Sequence, residues 1–108
     1  MKLDPSLVED LVHRITEIVN PLRIILFGSA ARGDMGANSD LDVLVVMPDG
    51  IHRRRTAQSL YRHLVGFGFA KDIVVVSEKD IEKHGSDPFM IYKDALEEGK
   101  EIYRAGIE

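Results

Sequence analysis

The chain has 108 residues and 12.1 kDa, the size of one domain. Its 44% hydrophobic and 30% charged residues argue against intrinsic disorder, and its net charge of −4 argues against a surface that binds nucleic acid throughout. The absence of cysteine excludes disulfides, zinc–thiolate sites, iron–sulfur clusters and thiol catalysis. The histidines at 13, 52, 63 and 84 form no metal-binding spacing. The apolar runs fall far short of the roughly 20 residues that cross a bilayer, and Asp4-Pro5 interrupts any N-terminal signal pattern. These absences lead to the expectation of a cytoplasmic protein away from membranes.

Asp4 and Pro5 suit the cap and first position of a helix, and Leu7, Val8, Leu11, Val12, Ile15, Ile18 and Val19 recur at helical spacing. Asn20-Pro21 stops it, and residues 22–27 read as a short buried strand. Residues 28–38 are small, polar and glycine-rich, hence a loop with at most a short helix. Residues 41–47 form a second strand. After the Pro48-Asp49-Gly50 turn, with Asp49 placed to cap, a helix runs to about Val65 and turns Ala57, Leu60, Tyr61, Leu64 and Val65 inward. Residues 70–76 are a third strand. Ser77 and Asp80 resemble a capping box for a short helix, and Asp87-Pro88 opens another that ends at Gly99. Residues 101–104 fit a last short strand or an extended tail. Strands alternating with helices around one sheet give a mixed α and β class in a single domain, residues 1–108.

The chemistry concentrates between residues 28 and 46. Asp40 and Asp42 stand two apart at the mouth of a strand, where alternation points both carboxylates to one face. Hard cations such as Mg²⁺ take one or two carboxylates plus substrate phosphates, so this pair suits a Mg²⁺ bracket. The plainer alternative makes Asp40 a turn residue after Asn38-Ser39 and Asp42 a solvent-facing strand residue. Aspartate is a poor strand former, which favours the functional reading of Asp42. Gly28-Ser29 directly follows a strand, where glycine permits close backbone approach and a following helix would offer N–H groups to an anion. An ordinary tight turn fits these two residues equally. Asp72 enters an apolar strand, a costly place for an acid without a role or a partner. If that strand lies beside 41–47, three carboxylates converge, enough for two divalent ions aligning an in-line displacement at phosphorus. A pairing with Lys71 or a solvated strand end is the alternative.

Gly28-Ser29, ten intervening residues, Asp40-x-Asp42 and a later strand aspartate at 72 together resemble the signature of the DNA polymerase β-like nucleotidyltransferase superfamily. The size, Ala31-Arg32-Gly33 and the Glu98 to Tyr103 ending are similar to its minimal nucleotidyltransferases, the antitoxins of HEPN/MNT pairs. The resemblance implies a nucleotidyltransferase fold, a short mixed sheet flanked by helices. It implies nucleotide binding by Gly28 and Ser29, with Arg32 and Ser39 beside them, and Mg²⁺ held by Asp40 and Asp42. Asp72 joins them as third acid, helping to activate the attacking hydroxyl. It further implies ATP or another NTP as substrate, two Mg²⁺ ions, and a HEPN-type toxin as acceptor and partner, silenced by adenylylation. Two other readings stand beside it: a module that neutralises a partner by contact alone, and a transferase acting on a small molecule or an RNA end. Homo- and hetero-oligomers are both compatible with the sequence.

Arg32 suits phosphate through its guanidinium, or forms a loop ion pair with Asp34. His52-Arg53-Arg54-Arg55, continued by Arg62 and His63, is either a basic patch for triphosphate or partner-borne RNA, or a solvated helix face. Tyr61, Tyr92 and Tyr103 fit core or partner packing better than base stacking.

Overall fold

The computed structural model of the chain describes residues 5–27, 41–64, 70–84, 97 and 99–106. Helix α1 spans Pro5–Ile18, strand β1 Arg23–Phe27, strand β2 Leu41–Met47 and helix α2 Arg53–Leu64. Strand β3 spans Ala70–Ser77, helix α3 Glu78–His84 and strand β4 Lys100–Arg104. The four strands form one sheet in the order β3-β2-β1-β4. β2 and β3 run parallel, while β1 is antiparallel to both β2 and β4, so the sheet is mixed as expected. Parallel neighbours need a crossover, and α2 supplies it between β2 and β3.

Period-two alternation sorts each strand into two apolar layers. Ile24, Leu26, Val43, Val45, Met47, Ile73 and Val75 meet Leu11 and Ile15 of α1 and Leu60 and Leu64 of α2. Ile25, Phe27, Leu44, Val46 and Val76 form the layer on the other face, where Ile81 of α3 packs. Apolar cover on both faces explains why these strands read as continuous Val, Ile and Leu runs. The α1 stripe is as expected, with Val8, Ile18 and Val19 packed around Leu11 and Ile15.

The starts of α2 and α3 are settled by side chains, and Asp4, expected to cap α1, lies outside the described residues. His52 caps α2: the Arg55 N–H donates to its Nδ1 at 3.2 Å, and the Thr56 N–H donates to its carbonyl at 3.0 Å. Asp49 caps a different helix from the one its position suggests. Its Oδ1 accepts from the Lys79 N–H of α3 at 3.0 Å, and Gly50 after it takes the positive φ (+90°) that suits glycine. The box at α3 closes in both directions. The Asp80 N–H donates to Ser77 Oγ at 3.2 Å, and the Ser77 N–H donates to Asp80 Oδ2 at 3.0 Å. Tyr61, expected in the core, is 42% exposed, and Val65 lies outside the described residues, as does all but Glu97 and Gly99 of the helix expected after Asp87. Residues 100–104 are a strand rather than a tail. Among the described residues, no helix is long and apolar enough to cross a membrane.

Candidate active site

One row across the sheet brings two of the expected site residues together. Phe27, the last residue of β1, is the register partner of Asp42, and Asp42 is the register partner of Asp72. Neighbouring strands lie about 4.8 Å apart, so the two aspartate positions are immediate neighbours. The β2–β3 ladder is regular from Asp42↔Asp72 to Met47↔Ser77, and shifts only before it, where Leu41 pairs with Ala70. Lys71 is therefore the extra residue of a bulge, and the aspartates are the first pair of the regular ladder. This settles the question the sequence left open: the third acid's strand lies beside the second.

Asp42 occupies the row position of Leu44 and Val46, on the face opposite α1 and α2. It is half-buried, and its Oδ1 is shut off from solvent. A carboxylate is the hard oxygen donor that Mg²⁺ prefers, and this one stands beside a second aspartate position. The donor chemistry thus fits a hard, oxygen-preferring ion.

The other expected site residues are placed by chain continuity alone. Gly28 is bonded to Phe27 and Asp40 to Leu41, so β1 ends and β2 begins at the end of the sheet that holds Asp42 and Asp72. Gly28, Ser29, Arg32, Ser39 and Asp40 lie outside the described residues, and Asp72 is described through its backbone.

The basic run occupies another place. His52, Arg53 and Arg54 edge an open cleft of about 670 Å³ between the start of α2 and β3, floored by Ile73 and Val75. Arg53 is paired to Asp80 at 2.8 Å, whereas Arg54, Arg55 and Arg62 have no acidic partner among the described residues. Asp80 is held below the usual carboxylate range, first by the N–H of Ser77, which outweighs the opposing effect of burial, and further by the Ser77 hydroxyl and Arg53.

Sequence reasoning missed Tyr61. Its hydroxyl accepts the Ile73 N–H at 2.9 Å, one residue beyond Asp72. The available signal was its position at the border of the 57-60-64 stripe, where a tyrosine can bury its ring edge and offer a polar tip.

Comparison with known proteins bears on this geometry. Residues 8–102 match the family model described as a nucleotidyltransferase domain. A Methanocaldococcus jannaschii protein, assigned provisionally as a protein adenylyltransferase, is 33% identical over 98 residues, covering 82% of this chain and 94% of that protein. A Sulfolobus solfataricus crystal structure, assigned provisionally as a nucleotidyltransferase, superposes with a TM-score of 0.61 at 20% identity over 93% of this chain and 79% of that one. The structure of a mutant of the toxin–antitoxin pair MntA–HpeT superposes with a TM-score of 0.58 at 19% identity, over 92% of this chain and 74% of that one. These two structures share the fold. With a paired aspartate row at the strand ends and a family match over most of its length, the chain belongs to the nucleotidyltransferase domain family.

Proposed function

We propose that this protein transfers a nucleoside monophosphate, AMP from ATP, to a hydroxyl of a HEPN-type toxin and so acts as its antitoxin. The observation that carries the reading is the register pairing of Asp42 with Asp72 at the sheet end where β1 hands on to Gly28-Ser29 in sequence. The provisional assignment of the Methanocaldococcus jannaschii relative as a protein adenylyltransferase favours a protein acceptor, and the shared fold with an MntA–HpeT structure favours a toxin.

In this reading Asp40, Asp42 and Asp72 hold Mg²⁺, and Gly28, Ser29, Arg32 and Ser39 hold the triphosphate. Bound Mg²⁺ supplies charge neutralisation on the phosphate oxygens. Asp72 orients the acceptor hydroxyl and takes its proton. The hydroxyl oxygen bonds to the α-phosphorus, the bond from that phosphorus to its bridging oxygen breaks, and pyrophosphate leaves. The phosphate loop and the carboxylates fix the line of attack, which is the main service a protein gives to a displacement of this kind.

The test is intact-mass spectrometry of a candidate HEPN-type toxin after incubation with this protein and Mg·ATP. One or more added AMP groups on the HEPN protein support transfer. An unmodified HEPN protein with all four nucleotides, still neutralised by a variant with Asp40, Asp42 and Asp72 all changed to Asn, identifies a contact-only module instead.

A further inference from the structure

Strand β3 is an edge strand among the described elements, with β2 on one side only. Its outer N–H groups therefore need partners from elsewhere, and two of them have side-chain caps. At its far end the Ser77 N–H donates to Asp80 Oδ2. At its near end the Ile73 N–H donates to the Tyr61 hydroxyl of α2. The near cap sits at a sensitive place. The ladder is irregular immediately before Asp72, where Lys71 is skipped, so the entrance of β3 has two pairing offsets within three residues. A one-residue slip at such a point moves a side chain to the other face of the sheet. Ile73 is the first outward-bonding position after the bulge, and Tyr61 fastens it.

We infer that Tyr61 is a positioning residue that locks the register of Asp72 against Asp42. Resting on the role of Asp72 proposed above, this assigns to an exposed helix tyrosine the task of holding the third carboxylate in line with the second. The ring leaves α2 beside the buried Leu60 and reaches the strand edge from the layer opposite the aspartate row, so it anchors β3 without occupying the site. At 42% exposure it gives up apolar burial, which is consistent with a position kept for its hydroxyl.

The test compares Tyr61→Phe, which removes one oxygen, with Asp80→Asn, which loosens the far end of the same strand. In Tyr61→Phe the Ile73 amide is expected to exchange about three- to tenfold faster, as for the loss of one hydrogen bond. The kcat for nucleotide transfer is expected to fall about tenfold, with KM for ATP unchanged. Asp80→Asn is expected to leave kcat at the wild-type level. In an Asp72→Asn background, Tyr61→Phe is expected to have no further effect on kcat, because its action runs through that carboxylate. Wild-type kcat in Tyr61→Phe, an equal fall in both single variants, or a fall that persists in the Asp72→Asn background would overturn the assignment. A wild-type protein that transfers no nucleotide contradicts the proposed function instead. In that case exchange decides: acceleration confined to Ile73 and its neighbours on β3 upholds the lock, and unchanged exchange refutes it.

Discussion

Asp42 and Asp72 are register partners on parallel strands, and the residue skipped just before them is Lys71. Like charges placed directly opposite in a sheet destabilise it, so this pair is kept at a cost to the fold. Asp42→Asn is therefore expected to leave the metal-free melting temperature unchanged or a few degrees higher. The same change is expected to weaken Mg·ATP binding about tenfold or more by calorimetry, and to slow transfer at least about 100-fold. A variant that binds Mg·ATP as tightly as wild type would remove Asp42 from the site.

The reciprocal box at α3 gives a stability prediction independent of chemistry. Ser77→Ala and Asp80→Ala each remove a cap, worth about 1 kcal/mol. Each is expected to lower the melting temperature by roughly 4 °C. Because the two groups serve each other, the double variant is expected to lose less than the sum of the single losses. Thermal melts of the four proteins check this, and strict additivity would mean the two hydrogen bonds act separately.

Acid should unfold the protein partly through the same residue. Asp80 is held below its usual value by Ser77 and Arg53, and Glu101 by hydrogen bonds from Arg104 and then Arg23. Arg23 and Arg104 both reach Glu101 Oε1, at 2.8 and 2.9 Å, and so tie β1 to β4. A lowered folded value means stability that is fully present above the unfolded values, about 3.9 for Asp and 4.3 for Glu, and lost as pH falls through the folded ones. Denaturant midpoints from pH 7 down to pH 3 are expected to fall below about pH 4. Asp80→Asn and Glu101→Gln are each expected to flatten that fall, and an unchanged slope in both would contradict these assignments.

Much of this was legible in the sequence because each feature had a local cause. The strand at 41–47 is observed with the same limits, since Val and Leu pack on both sides of it. The Ser77–Asp80 box was readable because its two partners are three residues apart. Asp49 was legible as a capping residue, whereas its recipient was not: Lys79 is 30 residues away and comes near only once β3 has returned beside β2. Tyr61 looked like core for the same kind of reason. Helical spacing says that it borders an apolar stripe, and only the sheet order shows that β3 is an edge strand among the described elements, with an N–H to satisfy. The neighbourhood of Asp42 and Asp72 likewise depended on strand order and on a bulge, and neither is written in one strand's own pattern.

Leu60 is the point where α2 enters the core under β2 and β3, with no exposed surface. Leu60→Ala is expected to cost about 2–5 kcal/mol by denaturant unfolding. A loss under about 1 kcal/mol would mean that the layer closes over the cavity far more readily than packed interiors do.

Whether AMP reaches a protein acceptor is decided by following one reaction. A candidate HEPN-type toxin is incubated with Mg·ATP and either the wild type or Asp72→Asn, and the intact mass of the HEPN protein is followed over time. AMP additions are expected with the wild type, and a rate lower by at least about 100-fold with Asp72→Asn despite retained nucleotide binding. A HEPN protein that gains no nucleotide mass from the wild type, or gains it equally fast from Asp72→Asn, would contradict the proposed transfer.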